Sequence, residues 1–235
     1  MDTLLKPLLL LPWPDWLALG LFFGGWWGYA HWARQRAQVR PSILATTNQW
    51  RRRWMLQATF RDNRIVDSAV TQSLSASPQL FASTSLLIIG GLLAALGATD
   101  KASGLVQEIP FAARTSALVF DLKLALLAAI FVHAFFRFTW SLRQYSFGAI
   151  IVGAAPEARQ FAADEGQRAL FADRAGRVMG LAAETFNDGL RAYYMSFAVI
   201  GWFVSPTLFA IGTLAVLWIL YRREFRSDVL EVLRA

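Results

Sequence analysis

The chain contains no cysteine. That absence excludes disulfide frameworks, thiolate zinc sites, iron–sulfur clusters and cysteine nucleophiles together, and it leaves the redox compartment open. Histidine is nearly as scarce: His31 and His133 are the only two, which gives poor support to a histidine-based metal centre. No phosphate-cradling glycine loop, dinucleotide-binding glycine pattern or zinc-protease signature occurs. Nor can a nucleophile, a base and an orienting group be assembled, so neither an enzyme nor a cofactor is expected. Charged residues amount to 17% of the 235 positions, and no internal repeat of the inverted-transporter kind is visible.

What the chain has in excess is apolar sequence. Hydrophobic residues make up 56% of it and the mean hydropathy is +0.39, above what a soluble domain of ordinary composition reaches. The net charge of +7 is spread between and beside apolar runs, so it points to a bilayer surface rather than to nucleic acid. Hydrocarbon about 30 Å thick needs roughly 20 apolar residues in a helix. Three such runs stand out, at about 13–32, 80–98 and 116–140. The first opens on Pro14 and Asp15 and carries Trp13, Trp16, Trp26, Trp27 and Trp32 toward its ends, where tryptophan favours the interface. The second is expected to start at Ser77-Pro78, and its Gly90-Gly91 pair allows another helix to come close.

The apolar stretch from Leu190 to Tyr221 is too long for one upright span and has Pro206 near its middle, so it is either one kinked helix or two helices meeting at Val204-Ser205-Pro206. Charge favours the hairpin. Arginines crowd the connection after the first span (Arg34 to Arg64) and the one after the third (Arg137 to Arg191), whereas the loop between the second and third has only Lys101 and Arg114. Positive residues stay in the cytoplasm, so the N-terminus is outside, and a hairpin with spans at about 181–204 and 207–221 returns Arg222, Arg223 and Arg226 to the cytoplasm. Lys6 precedes an apolar stretch with no convincing cleavage site, and is read as part of a retained first span. The expected class is therefore an all-α integral membrane protein, one membrane domain over 1–235, in a bacterial-type inner membrane. Cytoplasmic helical segments are expected at about 41–72 and 156–186, the second as one long amphipathic helix. Trp50 and Trp54, four apart beside Arg51-Arg52-Arg53, suit a helix lying on headgroups.

Polar residues at membrane depth cost a few kcal/mol each on insertion scales, so they are the candidate sites. Asp121 and Lys123 lie near the outer end of the third span, about 200° apart on a helix and unable to pair with each other. Lys123 is expected to snorkel to the outer surface and Asp121 to pair within the bundle, the alternative being a pathway role. His133 and Arg137 share a face near the cytoplasmic end, followed by Arg143. Asn187, Asp188 and Arg191 form the densest polar group, at the entrance to the hairpin, where Asp188 and Arg191 can pair along one helix. Arg61 and Asp67 belong to a charged cytoplasmic cluster able to meet it.

The runs Phe138-Thr139-Trp140-Ser141-Leu142-Arg143-Gln144-Tyr145, Phe186-Asn187-Asp188-Gly189-Leu190-Arg191-Ala192-Tyr193-Tyr194 and Leu220-Tyr221-Arg222-Arg223-Glu224-Phe225, with Phe81-Ala82-Ser83-Thr84-Ser85, resemble those of the membrane proteins grouped as domain of unknown function 599. The resemblance implies no activity and no site residues. The polar positions themselves point to a homo-oligomeric channel or transporter for a small ion, an anion where arginine lines the path. The alternative is a non-catalytic scaffold or accessory subunit of a larger membrane complex. In either case the expected partners are the lipid bilayer, further copies of the chain and a possible membrane-protein partner, with no nucleic acid.

Overall fold

The computed structural model describes residues 11–99 and 116–234, and every regular element among them is helical. The elements are α1 (Trp13–Val39), α2 (Ile43–Ala58), α3 (Ile65–Leu96), α4 (Ala117–Gly153), α5 (Ala158–Ala163), α6 (Glu165–Trp202), α7 (Pro206–Phe225) and α8 (Asp228–Arg234). Lys6, Lys101 and Arg114, used above for topology, lie outside the described residues. Two helices, α3 and α4, are long and apolar enough to cross a membrane.

Several boundaries differ from the sequence expectation. The second apolar run is not a helix that starts at Ser77-Pro78: α3 begins at Ile65, whose amide is held by Asn63 Oδ1 at 3.0 Å, and passes through Pro78. The proline leaves one carbonyl of the preceding turn without its helical donor, a loss that the 32-residue helix absorbs. The expected single amphipathic helix from Pro156 is broken at Asp164, which adopts an extended backbone and accepts the Gln167 amide on its side chain at 3.0 Å. An aspartate in that position caps a new helix better than it continues an old one. From there α6 runs on without interruption to Trp202.

The chain forms two compact units, with α1, α3, α4, α6 and α7 contributing to both. The first comprises Met1–Arg36, Ser85–His133 and Arg191–Arg222. Its helical segments alternate in direction, as the cross-helix contacts show. A Cβ on Gly201 would meet the Leu208 carbonyl at 3.2 Å and one on Gly212 would meet Ala198 Cα at 3.3 Å, so α6 and α7 form an antiparallel hairpin around the turn at Phe203–Ser205. Phe120 meets Phe203 and Phe131 meets Tyr193, which sets α4 antiparallel to α6. Phe22 lies on Phe209 and Trp32 on Tyr221, so α1 runs parallel to α7. Ser85 reaches Tyr193 and Thr99 reaches Asp121, which sets α3 parallel to α6. Five segments therefore run alternately up and down in chain order.

The second unit comprises Ala37–Thr84, Ala134–Leu190 and Arg223–Ala235. Its core gathers Met55, Tyr145, Val152, Ala172, Ala175, Met179 and Ala182, with Trp54 and Phe171 packed against them. Helix α2 lies across α6 at Gly176 and Gly180, where added Cβ atoms would fall 2.8 Å from Arg52 Cα and 3.2 Å from Asn48 Oδ1. By contrast, Cβ atoms on Gly90 and Gly91 would meet nothing within 4 Å, so among the described residues no helix makes the close approach expected there.

Candidate functional site

In the first unit large apolar side chains cover the outside as well as filling the core. Large apolar side chains face outward, among them Leu86, Leu87 and Leu93 on α3, Leu118 and Leu122 on α4, and Ile211, Leu214 and Trp218 on α7. Only 11% of the most apolar stretch of α3 is buried inside the chain, whereas a core helix of a soluble protein would be mostly covered. The charged side chains Asp15, Lys123 and Arg191 are buried instead.

Lys123 is 1% exposed, so it does not snorkel outward as the sequence suggested. Two residues from Asp121 on the helix, its chain points the other way, into the packed side of α4 beside the hairpin turn. Its Nζ donates to the Trp202 carbonyl at 2.8 Å, in the last turn of α6, where carbonyls have no helical donor. The ammonium also lies 5.4 Å from the Trp202 ring centre and 5.9 Å from that of Phe203, within cation–π range. Trp202 in turn donates its indole N–H to Asp15 Oδ1 at 2.5 Å. One tryptophan thus joins a buried cation and a buried carboxylate through its backbone and its side chain. Phe209 stacks on it at 5.2 Å, and the fully buried Phe22 packs in turn on Phe209. Of the three donors of an ammonium, one has a partner among the described residues.

The remaining sequence candidates do not converge on this site. Asp121 accepts from Thr99 Oγ1 at 2.6 Å, and His133 presents its ring to the edge of Trp26 at 5.9 Å. Arg191 is buried, with its guanidinium 5.8 Å from the Tyr29 ring centre. In the second unit Asp188 is ion-paired with Arg137 on α4, a partner that spacing along α6 alone does not suggest. Asn187 is half-buried next to it, and Arg143 is exposed and lies over Phe147. Arg61 pairs with the fully buried Asp67 at 3.0 Å, and the Trp54 indole donates to the same carboxylate oxygen at 2.7 Å. The cluster around them reaches the α4–α5 connection, where Arg64 donates to the Val152 and Pro156 carbonyls and Asp62 accepts the Ala158 amide. Trp54 is therefore held inward, and Trp50 donates to the Leu233 carbonyl at 3.2 Å, so the two do not form one free aromatic stripe.

Sequence reasoning missed Asp15, which it used only as a helix start, and the Trp202 carbonyl, which no side-chain pattern reveals. The signal for Asp15 was available: the expected topology puts the start of the first span and Lys123 at the same outer end. Arg51 was also passed over. It donates to Thr47 Oγ1 and Asn48 Oδ1, and burial lowers its pKa from the ordinary arginine value while nearby Tyr145 and Glu184 pull it back up.

Fold and site together define an all-helical protein with two candidate membrane-crossing helices and an apolar-coated unit that holds charge inside. A family model matches residues 17–229, and the chain belongs to that family, described as Protein of unknown function, DUF599. No curated protein and no solved structure matches the chain.

Proposed function

We propose that the protein crosses the membrane five times, with its N-terminus outside and its C-terminus in the cytoplasm, and that as a homo-oligomer it moves a small ion. The outward apolar surface of the first unit and its alternating segments support the crossings, since lipid is the solvent that such a surface fits. The observation that carries the ionic role is Lys123. A charge buried at membrane depth is costly, and an apolar side chain of similar volume would fill the same space without that penalty. Among the described residues of this unit the buried charges are Lys123, Arg191 and Asp15, two cations to one carboxylate, which favours an anion. The open face at Gly90 and Gly91 is where close packing of a second copy fits, and it supports self-assembly.

Two measurements test the proposal. Purified protein in liposomes is expected to pass chloride or nitrate above the level of empty vesicles. Tight vesicles with no flux under chloride, nitrate and potassium gradients would overturn the ionic role. For topology, the absence of native cysteine makes any introduced thiol unique. Ser205→Cys, in the hairpin turn, is expected to react with a membrane-impermeant reagent from outside and Ser227→Cys is not. Labelling of Ser227→Cys on intact cells would remove the five-crossing arrangement.

A second reading, a scaffold or accessory subunit, draws on the separate core of the second unit. Gentle solubilisation separates the two: one stoichiometric partner favours a subunit, and a symmetric homo-oligomer with a polar axis favours the ion path.

A further inference from the structure

The second unit has a cavity of about 600 Å³ between the end of α1, the start of α2 and α8. Three arginines line it from three different places: Arg40 just past α1, Arg53 on α2 and Arg234 on α8. Among the described residues no acidic side chain lines it. All three arginines are exposed, so an anion entering the cavity is attracted by several cations that need no desolvation to meet it. The cavity is also built rather than incidental. The Trp50 indole is anchored on the Leu233 carbonyl at 3.2 Å, and the Arg53 guanidinium lies 4.9 Å from the Trp50 ring centre, so the cation is stacked and its fork of donors is held at the cavity wall. Val39, Ala45 and Leu233 add an apolar side.

We infer that this cavity binds a phosphate-bearing anion, gripped by Arg40, Arg53 and Arg234. Guanidinium groups present paired N–H donors that match phosphate oxygens, and three of them around one cavity suit a group with several such oxygens. The same chemistry is offered by the headgroup of an anionic lipid and by a free phosphate. The apolar wall beside the arginines suits the glycerol end of a lipid, and the cavity volume admits either.

The test uses the full chain in mild detergent, titrated separately with short-chain phosphatidylglycerol and with pyrophosphate, and with short-chain phosphatidylcholine as the zwitterionic comparison. The double variant R53Q/R234Q is compared with R174Q/R177Q, which removes the same charge from exposed positions of α6 outside the cavity. Saturable binding of phosphatidylglycerol that weakens about tenfold or more in R53Q/R234Q and not in R174Q/R177Q identifies a lipid-headgroup site. The same pattern with pyrophosphate alone identifies a soluble phosphate. No saturable binding of either, equal weakening in both double variants, or equal binding of phosphatidylcholine would overturn the inference. Should R53Q/R234Q melt below the wild type, single R53Q, with Trp50 left in place, carries the comparison with an intermediate loss expected.

Discussion

Lys123→Met is expected to abolish anion flux in liposomes while changing the melting temperature by only a few degrees. Methionine has nearly the volume and flexibility of lysine, so the space beside Trp202 and Phe203 stays filled. Removing the ammonium relieves a desolvation cost of several kcal/mol, and replacing buried charges by apolar groups is often neutral or stabilising. Against this stands the loss of the hydrogen bond to the Trp202 carbonyl and of a counter-charge for Asp15, each costing about 1–3 kcal/mol. The opposing terms are of similar size, which is why stability is expected to move little. Flux has no such compensation: in the proposed role this ammonium is the group that meets the ion, and methionine carries no charge. The double variant Asp15→Asn with Lys123→Met sharpens the test: it removes the orphaned carboxylate and is expected to recover any lost stability without recovering flux. A Lys123→Met protein that conducts like the wild type would show that the buried lysine is a packing feature and would take away the main support for the ionic role.

How far these sites could be read from sequence depended on whether local pattern fixes the answer. The break at Val204-Ser205-Pro206 was legible, because a proline in an apolar run of that length must end or bend a helix and arginine placement chose between the two. Pro78 misled for the same reason turned round: proline suits a first turn, but here the helix begins at Ile65, whose amide donates to Asn63 Oδ1, and runs on through Pro78. The extent of burial at Lys123 was not legible at all. A helical wheel gives direction around the axis, not depth beneath neighbours, and the lid over Lys123 comes from residues 202 and 203, far away in sequence. For Asp188, spacing along one helix offers an i, i+3 arginine, and the ion pair with Arg137 on α4 lies beyond what a single helix reveals. The phosphate cavity is harder still, since Arg40, Arg53 and Arg234 share no spacing that marks them as a set.

Gly176→Leu is expected to be the most damaging single change in the second unit. The atom that a side chain at Gly176 meets first is Arg52 Cα, backbone at 2.8 Å, which no rotamer change can move aside. Leucine improves helix propensity over glycine by roughly 0.5–1 kcal/mol, so an exposed helical glycine would gain from the change. Here that gain is outweighed, because the Cβ alone falls well inside van der Waals contact with the α2 backbone, and α2 must lift from α6 to admit the side chain. Lifting it uncovers Met55, fully buried in the core, and pulls Trp54 away from Asp67, leaving a buried carboxylate with one donor fewer. Loss of a buried methionine contact alone costs about 2–5 kcal/mol, and overpacking adds about 1–3 kcal/mol. At about 2–4 °C per kcal/mol for a chain of this size, the melting temperature in detergent is expected to fall by roughly 10 °C or more. Gly153→Leu is the matched control: it lies in the same unit at the end of α4, a Cβ there meets nothing within 4 Å, and its melting temperature is expected to stay at the wild-type value or rise. Equal melting of the two variants would mean that α2 is not seated on Gly176. If Gly176→Leu alone unfolds the second unit, its anion cavity is lost with it, because Arg53 and Trp50 ride on the same helix that Gly176 admits.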